Sequence, residues 1–359
     1  IIVTKYNIDL LLKYVANGSD VYPRCVMIYK KKDDSYYLTS INKNLSIEPE
    51  DKVYIDTKDD DIMPICRQPT LMKSNIISMK IKIDKYGKSI RLNPNNLTMI
   101  AGDFDGDEVN GYSLRNEQDA YECQKLSGTQ ELLISNGYGS PMIGQCQDGT
   151  LGLALLTRDC TKLIKSQVMF LFDNTGLFPE IPNKEFISGR EVLTILFKIL
   201  DIEIDFQTTA NIYNKNINKY RHYSETEINV IIKNGEFLSG IIDKSSVGVK
   251  KYNGLYHRIY HKYGANTTMD LIWYMQRIAI NYLNIYSYTI TFFDFKLNKE
   301  QSNEIYKKNL GSIAESKMLY YDLLEGKIIP PGGKTILEFY EQEQIKILIE
   351  ARASLSKTS

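Results

Sequence analysis

Isoleucine or methionine occupies every odd position from residue 77 to residue 83, and serine or lysine occupies every even one. A period of two in apolar character predicts a strand that buries one face. A turn at Asp84–Gly87 and a second short strand are expected to follow, and they lead to Arg91-Leu92-Asn93-Pro94. This part of the chain therefore predicts a β-hairpin.

Residues that start and stop helices bracket several other apolar segments. Near the N-terminus, Asn7 is a candidate cap and Gly18 a candidate stop for a short helix. A second helix is predicted from about Glu117 to Leu126, with Asn116 as its cap. Together with the predicted strands, these helices indicate an α+β fold.

Capping boxes predict two further helices in the middle of the chain. Ser188 with Glu191 opens a helix that runs through Leu200. Thr267 with Asp270 opens another, which contains the single tryptophan. Each box pairs a side-chain oxygen at the first position with an acidic residue three positions later, so each predicts a helix start.

Residues 297–355 are predicted to form two long helices. Asn298 caps the first, residues 326–333 with two prolines break it, and Thr335 with Glu338 opens the second. Two long helices that are joined by a short turn form an antiparallel hairpin.

Composition narrows the class of protein without identifying it. The 359 residues are 43% hydrophobic, which is enough for two or three domains with cores of their own. Net charge is zero, which neither supports nor excludes nucleic acid, because a local basic groove can exist within a neutral total. The five cysteines include no Cys-x-x-Cys pair, so we expect reduced thiols in an intracellular protein. No apolar run approaches the length of a membrane span, and no membrane partner is expected.

Three carboxylates lie within five residues in the aspartate loop, residues 103–107. Asp103, Asp105 and Asp107 alternate with other residues, and Gly106 can adopt the backbone angles of a sharp turn. Carboxylates this close repel one another unless a cation neutralises them. Hard oxygen ligands favour Mg²⁺, Mn²⁺ or Ca²⁺ over zinc.

Two other interpretations of the loop are possible. A solvated turn is common for Asp and Gly. An EF-hand calcium loop that starts at Asp103 would need Gly at its sixth position and Glu at its twelfth, where this chain has Glu108 and Leu114. The EF-hand interpretation is therefore excluded, and a catalytic magnesium site needs support from elsewhere in the chain.

A second motif supplies that support. Residues 64–73 read Pro-Ile-Cys-Arg-Gln-Pro-Thr-Leu-Met-Lys, and they precede the predicted hairpin and the aspartate loop. The order Arg67-Gln68-Pro69, hairpin, Asp-x-Asp-Gly-Asp resembles the largest subunit of multisubunit DNA-directed RNA polymerases. Further segments resemble the same family in the same order: residues 3–9, 144–152, 235–240 and 244–248.

The resemblance implies an architecture for the whole chain. Residues 1–57 would form a dock-like region, and 58–125 a double-psi β-barrel that carries the aspartate loop. Residues 126–290 would form a mixed α/β pore region, and 291–359 a helical hairpin of the funnel. Because the chain does not begin with Met and its matches start and stop inside the family's pattern, we expect a central piece of a longer polypeptide, inactive in isolation.

The resemblance also implies roles for particular residues. Asp103, Asp105 and Asp107 would hold one Mg²⁺ of a two-ion mechanism of nucleotide transfer to an RNA 3′ end, and a second Mg²⁺ would arrive with the NTP. Arg67 would contact the sugar of the incoming nucleotide, and Pro69 would shape the same wall.

The chain departs from the family's pattern at two places. Ala101-Gly102 precedes Asp103 where relatives have Asn-Ala, and that Asn helps to recognise the ribose 2′-hydroxyl. Alanine offers no side-chain donor or acceptor. Met72 also replaces a family histidine. Metal binding is expected to survive these changes, but the basis of ribose selection is left open.

Expected partners follow from the resemblance as well: the second-largest and other polymerase subunits, DNA template, RNA transcript, NTPs and a transcript-cleavage factor at the funnel. The richness in Ile, Lys, Asn and Tyr, with a eukaryote-like motif order, suggests a large cytoplasmic DNA virus, and therefore host cytoplasm and virion as locations. The alternatives are an RNA-dependent RNA polymerase of the two-barrel type and a metal-stabilised interaction domain without catalysis.

The histidines give a separate and weaker signal. His257 and His261 lie four residues apart on a predicted helix and could share a metal, although a structural or surface role is the more ordinary interpretation. Arg258 stands where a metalloprotease would have Glu, and His222 has no partner in the sequence.

Overall fold

The computed structural model describes residues 1–41, 45–84, 86–114, 116–211 and 224–356. These residues belong to two compact units, the first extending to Tyr286 and the second beginning at Ser287. His222, for which the sequence shows no partner, lies outside the described residues.

Helices and short antiparallel sheets alternate through the first unit, and the second unit is helical. The helices of the described residues are α1 (Ile8–Asn17), α2 (Leu97–Ile100), α3 (Glu117–Ser127), α4 (Gln147–Leu156), α5 (Lys165–Leu171), α6 (Gly189–Ile199), α7 (Glu225–Ile228), α8 (Lys244–Val247), α9 (Leu255–Tyr286), α10 (Lys299–Leu324) and α11 (Ile336–Ser356). Single 3₁₀ turns occur at Lys73–Asn75, Pro94–Asn96 and Phe292–Phe295.

The strands of the described residues are β1 (Cys25–Lys30), β2 (Ser35–Leu38), β3 (Lys52–Ile55), β4 (Ile62–Cys66), β5 (Ile76–Lys80), β6 (Asn110–Gly111), β7 (Lys162–Leu163), β8 (Ile187–Ser188), β9 (Phe206–Thr209), β10 (Asn229–Lys233) and β11 (Glu236–Ser239). They pair in the orders β2-β1-β3, β5-β4-β6, β7-β8 and β11-β10-β9, and every pairing is antiparallel. The prediction of an α+β fold is confirmed.

The N-terminal helix and sheet enclose a small core of their own. The buried side chains of this core are Val3, Leu11, Val15, Cys25, Ile28, Ile47 and Val53. Helix α1 has the predicted bounds, but Asn7 does not cap it with its side chain. Its Oδ1 accepts from the N–H of Thr4 at 2.7 Å, and its Nδ2 donates to the carbonyl of Ile2 at 3.0 Å.

The predicted hairpin after residue 76 is only partly correct. Strand β5 forms, but it ends at Lys80, and Ile83 is partly exposed. The described residues between β5 and α2 contain no second strand. Strand β5 pairs instead with β4, which precedes it in the chain. Ser78 is buried on this strand, and its hydroxyl shares a hydrogen bond of 2.6 Å with that of Ser127 on α3, which offsets the cost of burying it.

A larger core surrounds α4, α6 and the second half of α9. Leu153, Leu193, Leu196 and Ile278 are fully buried in it. Helices α4 and α9 approach so closely at Gly152 that an added Cβ would lie 2.4 Å from the carbonyl oxygen of Ala279. Any larger residue at position 152 would force these two helices apart.

Helix starts were predicted correctly wherever the capping residues act locally. Asn116 accepts from the N–H of Asp119 at 2.7 Å at the start of α3, and the box of Ser188 with Glu191 opens α6. The helix start predicted at Thr267 was misplaced, because α9 already runs through that position. Its break lies at Gly264, where φ is 84° and a residue with a Cβ would be strained.

The second unit contains α10 and α11, which pack against each other as the predicted hairpin. Asn298 caps α10 with a hydrogen bond of 2.7 Å from the N–H of Gln301. Between the helices, the hydroxyl of Ser316 donates to Oε1 of Gln344 at 2.8 Å. None of the described helices is long and apolar enough to cross a membrane.

Candidate metal centre

Two neighbouring strands bring Arg67 and the aspartate loop together. Arg67 follows the last residue of β4, and the loop lies between α2 and β6. Strand β6 pairs with β4 so that Asn110 is opposite Cys66. The chain therefore returns from the aspartate loop to the end of β4, directly beside Arg67.

The guanidinium of Arg67 fastens the loop at two points. Nη1 donates to the carbonyl of Ala101 at 2.8 Å. Nη2 donates to Oδ1 of Asp107 at 3.0 Å, and Nε lies 2.6 Å from Oδ2 of the same carboxylate. This is a two-pronged contact, in which the planar guanidinium matches the carboxylate geometry.

Asp107 is the well-compensated carboxylate of the loop. Its Oδ2 also accepts from the N–H of Asp103 at 2.9 Å. This backbone hydrogen bond, together with the adjacent Arg67 guanidinium, holds the pKa of Asp107 below its ordinary value. Asp107 is therefore ionised at neutral pH.

Asp103 and Asp105 have the opposite electrostatic environment. The carboxyl of Asp105 beside it raises the pKa of Asp103 above its ordinary value, and partial desolvation adds to the effect. Both side chains are exposed. The loop therefore carries more negative charge than the single guanidinium of Arg67 can neutralise, which favours a cation.

The donor atoms of the loop fit a hard divalent cation. One oxygen from each of Asp103, Asp105 and Asp107 lies within 4.8 Å of the others. Each carboxylate oxygen has two lone pairs, so Oδ1 of Asp107 keeps one available while the other accepts from Arg67. In the described ranges, this is the one group of three or more His, Cys, Asp or Glu side chains placed to share a metal.

Ala101 adopts an unusual backbone conformation at the entrance to the loop. It ends α2 in the left-handed region, with φ 50° and ψ 39°. Asn tolerates this region better than Ala does, so the backbone here would suit the Asn that the resemblance implies for this position. At Gly102, an added Cβ would meet neighbours at 3.4 Å or more, which is ordinary contact. An Asn-Ala pair at positions 101 and 102 would therefore fit this backbone.

Pro69 is placed near Arg67 by the chain, but it takes no part in the hydrogen bonds that fasten the loop. It follows a cis peptide bond with Gln68, and its side chain is exposed. Leu71 and Met72, which come next, are also exposed. These residues present an apolar surface on the segment that follows Arg67.

Sequence reasoning missed Asn75, which joins this segment to α2. Its Oδ1 accepts from the N–H of Met72 at 2.7 Å, and its Nδ2 donates to the carbonyl of Met99 at 2.9 Å. Asn75 is buried, and it therefore fixes the segment after Arg67 against the helix that ends at Ala101. A polar residue immediately before an alternating strand was the one available signal.

Comparison with known proteins gives two family matches along this chain. The family described as RNA polymerase Rpb1, domain 2 matches residues 1–129, and RNA polymerase Rpb1, domain 3 matches residues 132–295. The first match includes Arg67 and the whole aspartate loop.

Individual relatives carry corresponding names. The DNA-directed RNA polymerase RPB1 homolog of African swine fever virus is 30% identical over 96% of this chain and 25% of its own length. The DNA-directed RNA polymerase subunit Rpo1N of Methanothermobacter thermautotrophicus is 26% identical over 98% of this chain and 40% of its own length. That of Sulfolobus acidocaldarius is also 26% identical, over 98% and 40%.

The chain thus spans about a quarter of the length of the viral relative and less than half of the archaeal ones. The two Rpb1 domains match consecutive parts of the chain and together cover most of it. The chain therefore belongs to the family of the largest subunits of DNA-directed RNA polymerases.

Proposed function

We propose that this chain provides the nucleotide-adding centre of a DNA-dependent RNA polymerase. The observation that carries the proposal is the aspartate loop, where three carboxylates converge and Arg67 neutralises only one of them. Family membership supports the same reaction, because the viral and archaeal relatives are named as DNA-directed RNA polymerase subunits.

Asp103, Asp105 and Asp107 are the residues that would hold Mg²⁺. When bound, one ion held by these carboxylates and a second that arrives with the NTP would stabilise charge on the attacking and leaving oxygens. The chain's own contribution is to keep Asp107 ionised and fixed through Arg67 and the N–H of Asp103. Asp103 and Asp105 then supply negative charge that nothing else in the loop offsets.

Arg67 has N–H groups that remain available to a nucleotide. A guanidinium has five N–H groups, and three of them point to Ala101 and Asp107. The two that remain, one on each Nη, would donate to hydroxyls of the incoming sugar. Pro69 would form part of the wall beside them. With Ala101 in place of Asn, this chain would rely on Arg67 more heavily than its relatives do to select ribose.

The finer architecture and partners belong to the same proposal. The sheet of β4, β5 and β6 would be part of a double-psi β-barrel, with a dock-like region before it and pore and funnel regions after it. The second-largest subunit, DNA template and RNA transcript would surround the aspartate loop, with a transcript-cleavage factor at the hairpin of α10 and α11. A viral enzyme of this kind would act in the host cytoplasm.

The test is primer extension and pyrophosphorolysis by the assembled polymerase that contains Asp105→Asn. We expect both directions of the reaction to fall by about a hundredfold or more, because loss of one preorganised charge at a reacting centre costs about 3 kcal/mol. Assembly should be unchanged, because the side chain of Asp105 is exposed.

Asp60→Asn is the matched control. Asp60 is an exposed residue with φ 70°, a backbone angle that Asn accepts, and it lies in an acidic run outside the aspartate loop. It makes the same chemical change and should leave both reactions intact. Near-normal turnover by Asp105→Asn would remove the catalytic assignment and leave a structural cation site or a solvated turn.

A further inference from the structure

His257 and His261 form a close pair on the first half of α9. Their Nε2 atoms are 3.3 Å apart, and their ring centroids are separated by 4.5 Å at an interplanar angle of 69°. A spacing of four residues places both rings on the same face of the helix. The two nitrogens therefore converge on one point next to the helix.

A third donor atom lies at the same point. The carbonyl oxygen of Gly139, more than a hundred residues earlier in the chain, is 2.9 Å from Nε2 of His257. Gly139 has φ 60° in a turn that this contact joins to α9. Nε2 of His257 thus lies within 3.3 Å of a second imidazole nitrogen and of a carbonyl oxygen from a separate part of the first unit.

The spacing of these atoms matches that of ligands around a transition metal. Two nitrogens at about 2.0–2.1 Å from zinc, separated by a tetrahedral angle, are about 3.3 Å from each other. A carbonyl oxygen and a nitrogen at right angles around a similar ion are about 2.9 Å apart. The observed distances of 3.3 and 2.9 Å lie in the range that these two angles span, so the arrangement fits a single ion with distorted angles.

Ordinary hydrogen bonding explains the same arrangement less completely. If Nε2 of His257 carries the proton, it can donate to the carbonyl of Gly139 at 2.9 Å, and Nε2 of His261 at 3.3 Å then receives at most a share of the same proton. If it carries none, it faces the lone pairs of the Gly139 carbonyl oxygen without a donor. A metal in place of the proton would bind all three donor atoms at once.

The surroundings hold one ring firmly and leave the other accessible. His257 is 5% exposed, and the ring of Tyr252 packs on it with centroids 4.7 Å apart. His261 is exposed and contacts Tyr260 edge to face at 5.6 Å. A buried ligand of fixed orientation beside an accessible one leaves an entry path for an ion and room for water ligands.

We propose that His257, His261 and the carbonyl of Gly139 form a binding site for a transition-metal ion of the zinc, cobalt, nickel or copper class. Imidazole nitrogen selects these ions over Mg²⁺, so the site is chemically distinct from the aspartate loop. The remaining coordination positions would be taken by water or an exchangeable anion. The proposal does not depend on the polymerase reaction.

Two cations near the site set a limit on its affinity. A surface pocket contains both histidines, and Arg258 and Lys262 line it as well. Arg258 donates to the carbonyl of Asp205 at 3.2 Å, and Lys262 donates to that of Glu203 at 2.5 Å. A guanidinium and an ammonium group this close to the histidines oppose the binding of a divalent cation. We therefore expect an exchangeable metal rather than one that is required for folding.

Cobalt absorption spectroscopy of the full chain tests the proposal. Asp105→Asn is used as the background for every measurement, so that binding of Co²⁺ at the aspartate loop does not contribute. We expect visible d–d bands that saturate with Co²⁺ and that Zn²⁺ displaces. His261→Ala should weaken the affinity by about tenfold or more, since it removes a ligand and not merely an outer contact.

Two further variants separate ligation from a structural role. His261→Cys replaces one ligand by another, so binding should persist and a new sulfur-to-cobalt charge-transfer band should appear. Lys262→Gln removes a charge from the same pocket without removing a ligand, and binding should be retained or tightened. If Asp105→Asn gives no d–d bands, or if His261→Ala binds Co²⁺ as tightly as its parent, the pair is a hydrogen-bonded contact and the proposal is wrong.

Discussion

Two arginine–aspartate pairs in the first unit are fixed by similar contacts but occupy different electrostatic surroundings. Arg67 holds Asp107 and a backbone carbonyl, and Arg190 holds Asp159 at 2.6 Å together with several backbone carbonyls. Beside Arg67, two more carboxylates crowd the same loop. Beside Asp159, hydroxyl groups supply the other hydrogen bonds of its side chain. The nearby carboxylate of Glu227, which accepts from the N–H of Asp159, is paired with Arg158 at 4.0 Å, so the charges there are balanced.

The hydroxyls of Ser224 and Thr226 donate to Oδ2 of Asp159 at 2.7 and 2.6 Å. Although partial burial opposes the effect, these hydrogen bonds and Arg190 hold the pKa of Asp159 below its ordinary value. Asp159 thus resembles Asp107 when each is considered alone. The aspartate loop differs because two further carboxylates lie beside its arginine–aspartate pair. This excess of negative charge makes the loop a candidate metal site.

The largest effect on folding is expected from Arg190→Met. The side chain of Arg190 is 14% exposed, and its N–H groups reach the carbonyls of Thr157, Gly240 and Thr226. Methionine keeps much of the length but donates nothing, which leaves these acceptors and Asp159 without their main partner. The free energy of unfolding, measured in urea, should fall by about 2 to 3 kcal/mol.

Arg67→Met makes the same change at the other pair and sharpens the comparison. Its loss of stability should be smaller, because the side chain of Arg67 is 28% exposed and water can replace its contacts. Mg²⁺ should restore part of the lost stability in Arg67→Met and none in Arg190→Met. Equal losses that Mg²⁺ does not change would contradict the distinction between the two pairs.

The sequence was informative where the interactions are local. The caps at Ser188 and Asn298 act three residues away, and both helix starts were predicted correctly. The break of α9 at Gly264 was predicted too late in the chain, because the capping residues at Thr267 and Asp270 look like a helix start wherever they occur. Local patterns therefore located most helices, but they did not fix every helix boundary.

The sequence likewise predicted some features of the candidate site and not others. The motif order predicted that Arg67 and the aspartate loop belong together, and they meet although 40 residues separate Arg67 from Asp107. The unequal environments of the three carboxylates could not be predicted, because they depend on which one Arg67 faces. Asn75 was missed for the same reason, since both of its partners are fixed by tertiary structure.

A smaller effect is expected from Ala101→Asn, which tests the backbone beside the loop. A left-handed conformation costs an L-residue such as alanine about 1 kcal/mol, and Asn reduces that cost. We expect the free energy of unfolding to rise by about 0.5 kcal/mol. Asn would also place an amide near Arg67, so the assembled polymerase should incorporate fewer deoxynucleotides relative to ribonucleotides.

Ala101→Gly separates these two consequences. Glycine also accepts φ 50°, but it brings no amide and increases the entropy of the unfolded chain. It should leave nucleotide selection unchanged. A loss of stability in Ala101→Asn would show that side-chain space, and not backbone strain, limits this position.

The smallest effect is expected in the pH dependence of stability at the aspartate loop. The pKa of Asp103 is raised in the folded chain, chiefly by Asp105. The folded state therefore binds a proton more readily than the unfolded state does. The contribution of Asp103 to stability is present below the ordinary aspartate pKa, and it is lost as pH rises through the raised pKa. Asp107 contributes in the opposite sense: its stabilisation is present above the ordinary pKa and is lost as pH falls through the depressed value.

Asp105→Asn should remove the first of these contributions and keep the second. Without divalent cations, the unfolding free energy of Asp105→Asn should therefore fall less than that of the unmodified chain as pH rises just above the ordinary aspartate pKa. The measurement is a series of urea unfolding curves across this interval, with Asp60→Asn as the variant that loses an acidic group outside the loop. If the curves of Asp105→Asn and the unmodified chain stay parallel, Asp103 and Asp105 do not repel one another in solution. The negative charge that distinguishes this loop from the Arg190–Asp159 pair would then already be neutralised by other groups of the protein, without a bound cation.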